Sequence, residues 1–435
     1  MKNKILFLAA LAVFLFAPAV IFSIEFDAGG TFFNSTGFVS DETTSDTELE
    51  QLNTLTLRFE AYTESESGSS GSFTAQGKYE YTNDRAYLFD VDVLQLRGTF
   101  PGALGSSSVA DISAGRIFFS DPTGMIISHT ADGASVKLLF PGIRILIAGG
   151  YTGLLLNPSS DIRMTTIDQS EEDIEIEDNF FGPKKLFAQS TVTFPELWWL
   201  NSLSLLGLAV FDLRDESEGA VMNTQYLGVH TERSYGENLY QDLFLIAQAA
   251  TLKVPDIDDR NALGFLLGLR LRYLKENFFG SRFQFRVLGA PPDVSIDDFV
   301  DVPFGVLGFV PVNQPSLGKS VSPSLTGLGL LELTYSFRPF YSSSSETAAA
   351  IQPSVGARGY FRTYSVSVDW IDTDPESDAY FIGTELEAGL AWRIFSDLGI
   401  EFSGAYFLPS TGSIGAASPD MESIFAFRAN LSISF

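Results

Sequence analysis

The sequence predicts an all-β chain: a transmembrane antiparallel up-and-down β-barrel of about eighteen strands. Three observations carry this. Apolar and polar residues alternate over many segments of roughly ten residues, the period of a strand whose two faces meet different surroundings. Past the N-terminus no segment runs about 18 apolar residues without charge, although 45% of the chain is hydrophobic, so membrane-crossing helices are not expected. Aromatic residues reach 13%, with 39 Phe and 15 Tyr beside 38 Gly, a composition suited to pleated half-buried surfaces and tight turns.

The first residues are set apart from this pattern. Lys2 and Lys4 precede an apolar run from Ile5 to Phe22 that is broken by Pro18. Small residues follow at Ala17, Ala19 and Ser23, the layout of a secretory signal peptide cleaved near Ala19 or Ser23. Residues 1–23 are expected to be this signal, and 24–435 a single barrel domain. Strand alternation begins at once with Ile24, Glu25, Phe26 and Asp27.

Reading for the 9–11 residues that span a bilayer gives eighteen candidate strands. They are 24–34, 49–63, 72–82, 86–100, 108–119, 133–140, 142–152, 185–195, 202–212, 222–235, 239–251, 261–274, 279–289, 324–338, 351–371, 380–394, 397–408 and 423–435. In 261–274 the odd positions Leu263, Phe265, Leu267, Leu269 and Leu271 oppose Gly264, Gly268, Arg270 and Arg272. In 279–289, Phe283, Phe285 and Val287 oppose Arg282, Gln284 and Arg286. In 380–394, Ile382, Leu386, Ala388, Leu390 and Trp392 oppose Glu385, Glu387 and Arg393. Sixteen strands is the alternative, because 86–100 loses phase near Leu94 and 133–140 is short.

The last strand adds a signal of its own. Phe425, Phe427, Ala429, Leu431, Ile433 and Phe435 lie on one face, with Ala426, Arg428, Asn430, Ser432 and Ser434 on the other. A strand that ends the chain on Phe resembles the C-terminal insertion signal of bacterial outer-membrane proteins. With the leader at the opposite end, the chain is similar to outer-membrane porins as a class. The resemblance implies a Gram-negative-type outer membrane, contact with its lipid, and delivery by the barrel-assembly machinery through the strand ending at Phe435. It also implies passage of small hydrophilic solutes and a homotrimeric assembly.

If the last strand descends to the periplasm, every connection acquires a side. Connections assigned inward (Pro141, 236–238, 275–278, 395–396) are short, and those assigned outward (35–48, 153–184, 290–323, 409–422) are long, as in bacterial barrels. Two break the rule: 83–85 is short and 339–350 long. Aromatics fall near both ends. Trp198, Trp199, Phe278, Phe279, Phe337 and Phe395 lie toward the periplasm; Phe32, Phe33, Phe118, Phe119, Tyr406 and Phe407 lie toward the outside. Such bands suit membrane interfaces.

Sixteen or eighteen strands enclose water, so the polar faces define a lumen. Its expected pore-lining cations are Arg58, Arg116, Arg144, Arg270, Arg272, Arg282, Arg286, Arg358 and Arg362. Its anions include Glu385, Glu387 and Glu401. Arginines gather on 261–362 and carboxylates on 380–408, which would set a transverse field. Arg358, Tyr360, Arg362 and Tyr364 share one face and could pass an anionic or sugar-like solute along a ladder; the plainer reading is a wall network with Tyr capping Arg.

Two outward loops are too apolar for water. Met125, Ile126 and Ile127 lie within 120–132, and Val302 to Val312 carries no charge. Both are expected to fold into the lumen, the first as a constriction loop and the second as a partial plug, unless 290–323 hides a further hairpin. The first follows the fifth strand, the rank of the constriction loop in general porins, though it shares no motif with it. The acidic loop 153–184, with Asp161, Asp168, Glu171, Glu172, Asp173, Glu175, Glu177 and Asp178, reads as a solvated loop.

The remaining chemistry is sparse. A net charge of −27 argues against nucleic acid, and the absence of Cys removes disulfides and thiolates. The 2 His are His129 and His230, of which His230 shares a face with Glu232 and follows Asp212. No catalysis, cofactor or metal is expected. The leading reading is a pore for passive diffusion of small hydrophilic solutes. The alternatives are a substrate-specific channel for anions or sugars, and a surface adhesin or structural barrel with a closed lumen.

Overall fold

The computed structural model describes residues 23–40, 47–83, 85, 87–165, 168, 180–215, 219–254, 259–291, 308–364, 368, 370–374 and 377–435. Residues 1–22 of the expected signal segment 1–23, residues 166–167 and 169–179 of the acidic loop, and residues 302–307 lie outside the described residues.

Eighteen strands form one closed sheet. They are β1 (Ser23–Ser40), β2 (Thr47–Glu64), β3 (Ser70–Thr82), β4 (Leu88–Pro101), β5 (Val109–Ser120) and β6 (Ser128–Phe140). Then follow β7 (Ile143–Tyr151), β8 (Lys185–Pro195), β9 (Ser202–Asp212), β10 (Val221–Tyr235), β11 (Leu239–Lys253) and β12 (Arg260–Lys275). The last are β13 (Ser281–Gly289), β14 (Leu328–Ser336), β15 (Ile351–Arg362), β16 (Phe381–Arg393), β17 (Leu398–Pro409) and β18 (Ile424–Ser434). Each pairs antiparallel with its sequence neighbours, and β18 returns to β1. Closure removes both sheet edges, the condition for a sheet that crosses lipid. The chain end completes it: the Phe435 amide donates to the Gly30 carbonyl (3.0 Å) and Gly30 returns the bond (2.8 Å).

Eighteen strands, not sixteen, are present, and the two doubtful segments explain themselves. On β4 the register jumps: Gly77 faces Val91 and Gln76 faces Val93, leaving Asp92 bulged, which is where the alternation lost phase. β6 is longer than expected because its first turn of strand, through His129, Thr130 and Asp132, is polar. In the other direction, 351–371 is too long. β15 stops at Arg362, just past a register shift between Tyr360 and Phe361, so Tyr364 lies in a bend beyond the ladder. β14 likewise begins at Leu328; Ser324–Gly327 belongs to the preceding loop, so no further hairpin is present among the described residues of 308–327.

The termini mark one end of the barrel, and the turns there are short: 141–142, 236–238, 276–280 and 394–397. The segment 337–350 is the long exception and carries one helical turn, Glu346–Ala349, capped by the Ser345 side chain. The opposite end carries the long connections 152–184, 290–327, 363–380 and 410–423.

The outward face is apolar all round: Leu57, Ile147, Leu227, Leu245, Leu263, Phe265, Leu386 and Phe402 are exposed there. The aromatic bands hold only in part. Trp198, Trp199, Phe278 and Phe279 are exposed at the terminus-bearing end, and Phe118 and Tyr406 on the outer wall. Their neighbours Phe119 and Phe407 point the other way and are buried at 3% and 0% exposure. A run of two aromatics on a strand must send one ring inward.

Candidate solute pore

The interior face of the barrel is not uniformly polar. On the half nearer the long loops, β5 to β12 present Ile117, Phe119, Ala131, Ala148, Phe187, Leu206, Leu208, Val210, Met222, Phe244, Ile246 and Leu266 inward, and these form one buried cluster with loop residues. Burying such a face needs apolar cover, and the long loops supply it.

The loop after β5 is shaped by Asp121. Its carboxylate accepts from the amides of Thr123 (2.8 Å), Gly124 (3.1 Å), Ile126 (2.9 Å) and Ile127 (3.0 Å), with Gly124 at φ +67° closing the turn. This nest turns Ile126 and Ile127 inward, at 0% and 1% exposure, while Met125 packs part-buried against them. The described part of the loop before β14 crosses the same space. The Val310 amide donates to Gln248 on β11 (2.7 Å), and the Tyr226 hydroxyl on β10 donates to the Val310 carbonyl (2.6 Å). Gly264 is required beneath it, since a Cβ there would stand 2.7 Å from the Phe309 backbone nitrogen. Val312 then donates to the Ile126 carbonyl (2.8 Å), Ser128 donates to the Asn313 side chain (2.7 Å), and Ile162 of the loop after β7 bridges to Asn313. Three long loops are thus interlocked inside the barrel.

The strap formed by 308–322 ends against β15 and β16. Glu385, with 0% exposure, accepts from the Ser320 amide (2.8 Å), the Ser320 hydroxyl (2.6 Å) and the Lys319 amide (3.0 Å). On its other side Arg358 donates to Glu385 (2.6 Å) and to Glu387 (2.9 Å), and approaches Glu332 (3.8 Å). Lys319 lies 3.5 Å from Glu387, and Arg286 pairs with Glu332. Tyr360 is fully buried, donates to the Leu317 carbonyl (3.3 Å), and packs against Trp370 and Phe407. Arg362 is buried on the Ala379 and Ser377 carbonyls. The row is therefore the plainer wall network and no free track: Arg358, Tyr360 and Arg362 lie beneath loops, and Tyr364 lies beyond the strand.

The other expected pore-lining residues separate. Arg270 and Arg272 both hold Asp242, at 2.9 and 3.2 Å. Arg282 reaches Gln284 at 3.4 Å, and Arg144 is exposed near the terminus-bearing end. Arg58 pairs with Glu60 at 2.7 Å and keeps 54% of its side chain exposed. Arg428 and Glu50, 3.1 Å apart, are 45% and 50% exposed, and Glu401 is exposed nearby on β17. Arg116 is a correction. It stands in register between Leu94 and Asp132, in the outward row with Ile112 and Phe118, and does not line the lumen. The sequence misassigned it because both rows of upper β5 are apolar, one facing outward and one facing the inward loops.

Several partners were invisible to sequence reading. Asp168, expected as a solvated loop acid, is fully buried with Lys185 (3.1 Å) and Arg214 (2.9 Å), and Asp212 meets the same two cations at 2.7 and 2.5 Å. Asp212 is thus not the neighbour of His230; Asp242 is, and its carboxylate, that of Glu232 and the His230 ring nitrogen lie within 4.8 Å of one another. Two arginines already neutralise Asp242 there. His129 accepts from the Asp161 amide (3.1 Å) and contacts the Thr130 carbonyl (2.6 Å), tying a loop to β6.

Comparison with known proteins places this architecture. No family model and no curated protein matches the chain. Among solved structures, OpdO of Pseudomonas aeruginosa is similar with TM-score 0.58 and 14% identity, over 94% of this chain and 97% of that one. OccK11 (OpdR) of the same organism gives TM-score 0.57 at 11% identity, over 94% and 96%. OccK2 (OpdF), in a crystal structure with glucuronate, gives 0.56 at 12%, over 94% and 98%. The chain therefore has the fold of an outer-membrane porin, and within that class it is similar to the eighteen-strand barrels of the OccK and Opd group.

Proposed function

We propose that the chain is an outer-membrane pore through which small hydrophilic solutes diffuse passively. The observation that carries this is the division of the interior. Loops fill the part of the lumen against β8–β12 and β14–β17, while the inward side chains of β18, β1 and β2 stay charged and exposed, with Arg428, Glu50 and Arg58 about half accessible. Water and polar solutes pass along that sector and widen into a space lined below the strap by Arg144, Arg282 and Arg270. Because Arg58 and Arg428 sit beside Glu60 and Glu50, the lane at β18, β1 and β2 is close to neutral and discriminates weakly by charge. The glucuronate bound to OccK2 is consistent with a small polar solute of this size.

The test is single-channel recording of the refolded chain in planar bilayers under a salt gradient. Stable open steps with a small reversal potential are expected. Silence from protein shown to be folded and β-rich would refute the pore and favour a closed structural barrel. A large anion-selective potential that collapses in Arg358→Ala would instead support a specific channel for anions.

A further inference from the structure

The wall itself has a seam. The β4–β5 ladder runs from Pro101 opposite Val109 up to Leu94 opposite Arg116 and stops. Both strands continue: Leu88–Val93 pairs only with β3, and Ile117–Ser120 only with β6. Among the described residues, no other neighbouring pair leaves four or more residues unpaired on both strands. Open backbone edges are costly where a barrel meets hydrocarbon, so this is the wall's weakest line.

Arg116 spans it. Its Nε and Nη2 donate to Asp132 on β6 at 3.2 and 2.9 Å, and Nη2 also to the Leu154 carbonyl (2.8 Å). Its Nη1 donates across the gap to Asp90 (3.2 Å) and the Val91 carbonyl (2.8 Å) on β4. All five guanidinium N–H groups are used, and one side chain joins two strands and a loop. Lys78 and Glu80 of β3 lie beside Asp90 on the inward row, and apolar side chains flank the latch along β5 and on the outer wall. Outside it are exposed Phe89, Val91, Leu94, Phe118 and Leu154, several of which line a cavity of about 450 Å³. Inside it are Leu88, Ile117 and Phe119, backed by Ile126 and Ile127.

We propose that the β4–β5 seam is a lateral gate latched by Arg116, through which small apolar or amphipathic solutes pass between the barrel interior and the surrounding leaflet. Such solutes are poorly served by the charged lane; the seam offers apolar wall outside the latch and, behind it, the apolar row of β5 facing the Lys78–Glu80 pair of β3. The proposal rests on the reading of the chain as a membrane pore.

The chain has no cysteine, so a single introduced thiol reports access without background. Ile117→Cys, behind the latch, is placed in proteoliposomes with a dodecyl maleimide dissolved in the bilayer. Its labelling is expected to rise about tenfold in Arg116→Met, the factor that about 1.4 kcal/mol of lost latch energy gives. Asp132→Asn, which keeps Arg116 and disturbs the fold less, is expected to shift labelling the same way. Equal rates in all three backgrounds, or labelling only by a water-soluble sulfonated maleimide, would overturn the gate. The two readings fail separately. A water-soluble maleimide that cannot reach Glu401→Cys refutes the pore; one that reaches it, with no latch effect at position 117, refutes the gate alone.

Discussion

The strap across the lumen hangs at one end from a single carboxylate, and Glu385→Gln tests what it does. Glu385, itself fully buried, accepts three bonds from Lys319 and Ser320 and one from Arg358. A carboxamide of the same shape turns one oxygen into a donor. It must face either Arg358, a second donor, or the Ser320 and Lys319 amides, and in both cases charge-assisted bonds are lost. Such bonds contribute about 1.5–3 kcal/mol each. Arg358 keeps Glu387 at 2.9 Å, so the wall survives and the loss falls on the strap. Taking about 3 kcal/mol as the net cost, the ratio of docked to released strap falls roughly a hundredfold. The release is local, since Val310 stays anchored on Gln248 and Tyr226. Single-channel recording should show a second, larger conductance level with flickering between the two, and hydrogen exchange should accelerate at Lys319 and Ser320. An unchanged single level with unchanged exchange would refute the claim that Glu385 holds the strap in the conducting path.

Three other perturbations follow from the same contacts. Asp121→Ala removes the carboxylate that four backbone amides share, leaving Gly124 the residue 121 carbonyl, at a cost of about 2–4 kcal/mol, and limited proteolysis should then cut near Met125 in folded protein that resists cleavage in its parent form. Lys185→Met leaves Asp168 and Asp212 sharing Arg214 alone, a buried charge imbalance of about 3–5 kcal/mol; the folded band in heated gels should be lost at lower temperature, and adding Asp168→Asn should recover part of it. Gly264→Val places a side chain where the strap backbone runs, so mean conductance should rise while barrel stability changes little; unchanged conductance would mean that the strap lies outside the solute path.

The barrel was legible because its signal is local. A strand between two different environments writes its period into ten consecutive residues, and all eighteen strands were found that way. The ends were less legible. The Asp92 bulge shifted the phase of β4, and the polar start of β6 hid its first five residues. The lumen was harder still. Alternation tells which residues share a face, but not whether that face meets water or a folded loop. Hence Arg358 and Tyr360 were placed correctly on the interior wall, where the plainer reading of a wall network describes them better than a solute ladder, while Arg116 was turned inward when the row beside it was the inward one. Arg428 with Glu50 joins β18 to β2 across the closing strand β1, a contact separated by nearly the whole chain. The burial of Asp168 depends on Lys185 and Arg214, cations from two later segments that a loop read alone does not contain.

An eighteen-strand cylinder is wide enough to pass most small molecules, so its interior furnishings decide what it conducts. Here the furnishing is asymmetric, and the asymmetry has a physical reason. Most of the loop cover packs on apolar wall, supplied by the inward rows of β5 to β12 above their lower arginines, and where the strap covers charge its own Lys319 and Ser320 groups bond Glu385. Next to β18, β1 and β2 the inward rows carry Arg428, Glu50, Arg58 and Glu60. Burying those charges beneath a loop without such partners is costly, and that sector stays wet. The interior charge pattern thus positions the pore by exclusion: the lane runs where no loop can settle.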